Sequence, residues 1–288
     1  MNQNQKFDIQ LLTKSFVERY GSQKQASNHL RGVSEGTLFN VLSNKWENIS
    51  EDMWRNIAKQ VGYTNRSWHL VETQDFLTLT TFFADAKDYG NVFALVGRAG
   101  CGKSFTAEWF CRQVQNAVYV ECKEFWNRKT FLRKILEKMG KDYAGMNVSE
   151  LMDYIVECFL KMDRPLLILD EFDKLSDQLI FFFISLYNEL KGKCGIIIQG
   201  TEYLKKRIKR GKDTQKKGYE EIYSRIGRRF IDLSGTNKSE VEKICKANGI
   251  TSPQDITEIF NEYEGDLRRV ERLVHKRKLK EEKSRQAA

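Results

Sequence analysis

The chain has 288 residues, 41% apolar and 12% aromatic, with 30% charged residues and a formal net charge of +9. That length accommodates two or three domains with buried cores, and the composition excludes wholesale disorder. The longest wholly apolar run, Leu179–Ile184, is far short of the roughly 20 residues that span a bilayer, and the first residues lack the apolar core of a secretory leader. A cytoplasmic location away from membranes is therefore expected.

Residues 8–64 read as short helices broken by Gly, Ser and Asn. "GVSEGTLFNVLSN" (32–44) has the form of the turn and recognition helix of a helix-turn-helix, and "SEDMWRNIAKQVG" (50–62) that of its packing helix. The start of the recognition helix, Ser34-Glu35-Gly36-Thr37, carries no basic side chain, so DNA reading and protein contact both remain open for a first domain at 1–65. Residues 65–90 read as a connector whose Trp68, Phe76, Phe82 and Phe83 should pack onto the segment that follows.

Five apolar runs then alternate with longer amphipathic stretches: "NVFALVG" (91–97), "AVYVEC" (117–122), "PLLILD" (165–170), "CGIIIQG" (194–200) and "RFIDL" (229–233). Such continuous Leu-, Ile- and Val-rich runs are what strands buried on both faces require, so a parallel sheet between helices is expected over 66–234. From 235 to 288 the chain returns to helices, with a basic end. The fold class is thus α/β, flanked by an all-α N-terminal domain and a C-terminal helical lid.

The first run leads directly into "GRAGCGKS", Gly97-Arg98-Ala99-Gly100-Cys101-Gly102-Lys103-Ser104, which fits G-x-x-x-x-G-K-[ST]. Glycines let backbone N–H groups face phosphates without a Cβ in the way, Lys103 is placed to reach the β/γ-phosphates, and Ser104 to hold Mg²⁺. A helix starting near Lys103 adds its positive dipole end. About 66 residues after Ser104, the third run ends in two carboxylates. Asp170 is placed to hold the metal shell and Glu171 to orient and polarise an attacking water; ATP and Mg²⁺ are the implied ligands. Asp173 reads as a helix cap or surface carboxylate. Gln199 and Thr201 straddle Gly200 at the end of the fourth run, and either is placed to touch the terminal phosphate. "YSRIGRRF" (223–230) offers Arg225 before the last run, and "GDLRRVERLV" (265–274) offers Arg268 in the lid.

The six cysteines (Cys101, Cys111, Cys122, Cys158, Cys194, Cys245) show no CxxC spacing and no histidine at zinc-ligand spacing, so they read as reduced core residues. The charge excess is local. "KKRIKRGKDTQKK" (205–217) holds eight basic residues and one acidic, a net of +7 within a chain of +9.

Taken in order, the strand before "GRAGCGKS", then "LLILDE", the polar residue after "GIII", "SR" before the last strand and "GDLR" in a helical lid resemble the AAA+ ATPases over residues 70–280. The resemblance implies Arg225 as an arginine finger acting in a neighbouring subunit, with Arg228 as its rival. It also implies Arg268 as the sensor-2 arginine, Gln199 or Thr201 as sensor 1, and an ATP-dependent homo-oligomer, ring or filament. With the helix-turn-helix-like block in front, the chain is similar to the MuB-like and TnsC-like transposition regulators. That likeness implies double-stranded DNA and a DDE-type transposase as partners. Insertions facing the central channel of such an assembly make Lys205, Lys206, Arg207, Lys209 and Arg210 the candidates for phosphate contact, together with Lys123, Arg128 and Lys129 of "KEFWNRK" (123–129).

Overall fold

In residues 1–63, serine hydroxyls set where helices begin. The computed structural model describes residues 1, 3–63 and 68–286, and the side chains of all of these except 4 and 282–286. After the first helix, α1 (Gln3–Tyr20), come α2 (Gln23–Asn28), α3 (Glu35–Leu42) and α4 (Glu51–Val61). Ser22, Ser34 and Ser50 accept hydrogen bonds from the backbone N–H groups of Gln25, Thr37 and Met53, satisfying donors that the first helical turn leaves orphaned. Ile9, Ala26, Leu38, Val41, Trp54 and Ile57 are buried between the four helices. Gln10 of α1 donates to the Val41 carbonyl at 2.7 Å, tying the long helix to the end of α3.

These helices form one unit, Met1–Trp68, and residues His69–Ala288 form a second. The boundary expected at 65/66 falls within 64–67, outside the described residues. The second unit opens with α5 (Gln74–Tyr89), an ordered helix where a connector is expected. Its aromatics pack edge-on against the following core: Phe76 on Trp109 at 5.0 Å, Phe82 on Phe93 at 4.9 Å and Phe83 on Phe110 at 5.4 Å between centroids. Full burial of a ring such as Phe83 contributes about 2–3 kcal/mol.

The sheet and its helices follow in order: β1 (Val92–Val96), α6 (Lys103–Gln113), β2 (Ala117–Glu121), α7 (Arg128–Lys138), α8 (Val148–Leu160), β3 (Leu166–Asp170), α9 (Asp177–Leu190), β4 (Gly195–Gly200), α10 (Glu202–Asp213), α11 (Tyr219–Arg225) and β5 (Phe230–Asp232). All five expected strands are present, in the spatial order β2-β3-β4-β1-β5, and every pairing is parallel. Side chains alternate across the sheet. Leu167, Leu169, Ile196 and Ile198 enter the core beneath α7–α11, while Leu166, Ile168, Ile197 and Leu95 pack against α5 and α6. The order reverses between β1 and β3, whose C-terminal ends flank β4; in open parallel sheets this crevice is where ligands bind.

The lid consists of α12 (Lys238–Ala247), α13 (Pro253–Tyr263) and α14 (Leu267–Gln286). Its connection to β5 is held by Asp75, which is buried at the start of α5 and accepts from the backbone N–H groups of Ser234 and Gly235, both at 2.9 Å. The basic stretch 205–217 differs from the insertion expected of it. Residues up to Asp213 belong to α10, which buries Leu204, Ile208 and Gly211 along one face. Apolar positions at helical spacing run beneath the charges.

Candidate nucleotide-binding site

β1 ends at Val96, and the next six residues turn the chain into α6. Gly100 and Gly102 adopt φ of +77° and +100°, a region that a side chain disfavours. Helix α6 begins on Gly102 with no side-chain cap, whereas Thr73, Asn127 and Asn147 cap α5, α7 and α8. The first amides of α6 are therefore left for a ligand, at the positive end of the helix dipole. Lys103 is buried, and its Nζ donates to the carbonyls of Gly97 and Arg98, both at 2.9 Å, with Cys101 Sγ at 3.5 Å. One cation thus sits between two loop carbonyls and a thiol. Burial raises the Cys101 thiol above its ordinary value, and the Lys103 ammonium opposes it, so Cys101 acts as a filler beneath the loop. Arg98 and Ala99 form the exposed crest. The cradle fits a chain of phosphates.

The metal positions are joined through a residue that sequence reasoning missed. Tyr119, on β2, donates its hydroxyl to Asp170 Oδ2 at 2.8 Å, with the Ser104 side chain close by. Asp170 is 1% exposed, and its other oxygen accepts from the Glu171 N–H at 2.8 Å. Burial first, and then the Asp170 charge, push the Tyr119 phenol well above its usual range, which keeps it a donor. Only the fact that β2 pairs with β3 brings Tyr119 here; "AVYVE" reads as an ordinary strand. Ser104 and Asp170 supply oxygen atoms suited to a hard cation such as Mg²⁺, and Tyr119 holds the carboxylate between strands.

Glu171 sits at φ +52°, immediately after β3, with its side chain 34% exposed and paired with Lys174 at 2.5 Å. The turn beyond it is anchored to β4 and α10. Thr201 Oγ1 donates to Asp173 Oδ2 at 2.7 Å, so Asp173 serves as the partner of Thr201 and caps no helix; Ser176 occupies the cap position of α9. Gln199 is fully buried, with neither amide atom hydrogen-bonded. From the β3–β4 register (Leu169 opposite Ile198) it stands beside Asp170 on the α6 face of the sheet. The two candidates at the end of β4 are thereby separated: Thr201 is engaged with the turn, and Gln199 lies next to the carboxylate.

The lid reaches this loop directly. The Leu267 N–H donates to Gly100 O at 2.9 Å, and a Cβ on Gly100 would meet Asp266 Oδ1 at 2.0 Å. Arg268 pairs with Asp266 (Nη2 to Oδ2, 2.9 Å), an arrangement that holds the Asp266 carboxyl below its ordinary value, and Arg268 also lies within electrostatic reach of Glu171. Arg225 is set against α9, donating to Asn188 at 3.3 Å with its guanidinium 5.4 Å from the Tyr187 ring centroid. Arg228 projects outward from a left-handed turn, its side chain 69% exposed and its Nη2 3.9 Å from Glu220 Oε1.

The expected phosphate contacts divide into two groups. Lys205 pairs with Asp232 at 2.6 Å, Lys123 with Glu121, and Arg128 lies over the Phe182 ring. Arg207 turns inward and bonds to backbone carbonyls, which removes it from the solvent face. Lys129, Lys206, Lys209 and Arg210 are exposed and make no ion pair among the described residues. Lys206, Lys209 and Arg210 share the outer face of α10.

This loop, carboxylate strand and parallel sheet order define a P-loop fold of the AAA+ type. Residues 86–208 match the family model described as an AAA domain. No curated protein matches the chain. Among solved structures, it is similar to Cdc6p from Pyrobaculum aerophilum (18% identity, TM-score 0.46, covering 63% of this chain and 51% of that one). It is also similar to the Drosophila ORC bound to DNA (12% identity, TM-score 0.44, covering 68% and 50%). The chain spans about half the length of each. No helix among the described residues is long and apolar enough to cross a membrane.

Proposed function

We propose that this protein is an ATP-hydrolysing AAA+ ATPase that binds duplex DNA with little sequence preference and assembles on it with ATP. The observation that carries the ATPase reading is the buried Lys103 held by two loop carbonyls, at the uncapped start of α6 and close to Ser104 and the Tyr119–Asp170 pair. Lys103 and the α6 amides would hold the nucleotide phosphates, and Ser104 and Asp170 would hold Mg²⁺. Bound Mg²⁺ supplies neutralisation of phosphate charge. Tyr119 keeps the Asp170 carboxylate oriented. Glu171 orients a water and takes up its proton. Arg268 exchanges Asp266 for phosphate as the lid settles. Arg228, on an exposed turn with only a long surface pair to Glu220, is better placed than Arg225 to reach a neighbouring subunit, because Arg225 packs against Asn188 and Tyr187 with its Nε buried.

Support for DNA binding comes from the outer face of α10, where Lys206, Lys209 and Arg210 face solvent without carboxylate partners among the described residues. Cations arrayed along a helix give affinity for phosphates without base choice. Together with the motif order and the N-terminal helical unit, this favours a role in delivering target DNA to a DDE-type transposase. Binding to random-sequence duplex, titrated with salt in the presence and absence of ATP, tests the reading. ATP-dependent binding that falls steeply with salt is expected. Preference for one sequence without nucleotide would replace it with an operator-binding regulator, and absence of binding at low salt with ATP would remove the nucleic-acid role.

A further inference from the structure

Inside the basic stretch, one cation turns away from solvent. Arg207 uses its guanidinium fork on four partners. Nη1 donates to the carbonyls of Asp173 at 2.9 Å and Leu175 at 2.7 Å, Nε donates to Tyr219 Oη at 3.1 Å, and Nη2 donates to Asp177 Oδ1. Tyr219 in turn donates to Asp177 at 2.6 Å, and Lys216 pairs with the second Asp177 oxygen. The arginine side chain is 15% exposed. Two glycines make room for the network: a Cβ on Gly211 would meet the Tyr219 ring at 2.3 Å, and one on Gly218 the Phe181 ring at 2.4 Å.

The carbonyls that Arg207 grips belong to the turn from Glu171 into α9. That turn starts from a left-handed Glu171 (φ +52°), a conformation the residue does not choose by itself, so surrounding contacts must hold it. Phe172 packs beneath at 5.2 Å from Phe183, and Thr201 holds Asp173 from the side. Arg207 closes the far end.

We infer that Arg207 is a positioning residue for Glu171, and that α10 thereby joins the basic face bearing Lys206, Lys209 and Arg210 to the turn carrying the hydrolytic carboxylate. The inference rests on the ATPase reading above. Arg207 touches neither nucleotide nor water; it acts through the Asp173 and Leu175 carbonyls.

Steady-state ATP hydrolysis and duplex binding by the full chain test this, with Arg207→Met, Arg207→Lys and Tyr219→Phe. Arg207→Met should lower kcat about ten-fold or more, as small displacements of a catalytic group do, and should leave the KM for ATP and the affinity for random duplex within about two-fold. Arg207→Lys, which keeps the charge and loses the fork, should recover part of kcat, and Tyr219→Phe should fall between it and wild type. A folded Arg207→Met with wild-type kcat, or one that loses KM and DNA affinity in step with kcat, overturns the inference. If Arg207→Met does not fold, Tyr219→Phe decides by the same split. Absence of Lys103-dependent hydrolysis in the unaltered protein overturns the ATPase reading and this inference together, and that failure appears without any substitution at 207 or 219.

Discussion

Gly100 carries two constraints at one Cα. Its φ of +77° disfavours any side chain, and a Cβ there would come within 2.0 Å of Asp266 Oδ1. Gly100→Ala should therefore lower the melting temperature by the equivalent of about 1 kcal/mol or more and weaken nucleotide binding. Adding Asp266→Ala should recover the part due to the clash and leave the part due to φ, so thermal melts of the double mutant separate the two causes. Asp177 supports a prediction in pH. Burial opposes its charge, yet hydrogen bonds from Lys216, Tyr219 and Arg207 outweigh burial and hold the carboxyl well below its ordinary value. A carboxylate depressed on folding stabilises the folded state at pH above the unfolded value, about 3.9, and this stabilisation fades as pH falls through the lower folded value. Asp177→Asn should therefore cost most at neutral pH and progressively less below about pH 4, which urea unfolding at a series of pH values would show.

Among the elements, α10 shows how far the sequence can be read. The strands are legible because a buried parallel strand leaves one signature, a continuous apolar run, and the loop after β1 because its glycines and Lys103 have fixed spacing. In the basic stretch, charge dominates the pattern and hides the Leu204, Ile208 and Gly211 spacing that makes it a helix. Tyr119 and Arg207 are not legible as functional, because their partners lie 51 and about 30 residues away and are supplied by strand pairing and helix packing. With the helix in view, the outward residues can be tested without disturbing its packing. Lys206→Glu, Lys209→Glu and Arg210→Glu together should weaken duplex binding strongly and reduce the slope of log K against log salt by about 0.9 for each phosphate that is no longer neutralised. ATP hydrolysis without DNA should be unaffected. Unchanged binding would exclude this face as the DNA-binding surface.

At the level of the whole molecule, the chain forms two units, each with its own buried core. The order of strands, P-loop, carboxylate strand and lid is readable from end to end, whereas the role of the N-terminal helices is not, since packing positions dominate them and Ser34–Thr37 carry no basic side chain. If ATP binding drives assembly on DNA and hydrolysis reverses it, Glu171→Gln should accumulate the assembled form. Light scattering or sedimentation with ATP and duplex should then show larger, longer-lived complexes than wild type, with Lys103→Ala showing none. Turnover at the wild-type rate by Glu171→Gln would reassign the water-activating role.

Gly211 connects these scales. A glycine inside a helix costs about 1 kcal/mol relative to alanine, and α10 accepts that cost where the Tyr219 ring lies flush against the backbone, above Arg207. The two sides of the helix differ in how much substitution their contacts allow. Outer positions 206, 209 and 210 can exchange lysine for arginine or shift by a residue while the field they create persists. Positions 207 and 211 both touch 219, so a larger residue at 211 requires a smaller one at 219. An aligned set of such chains is therefore expected to vary more at 206, 209 and 210 than at 207, 211 and, on α11, 219.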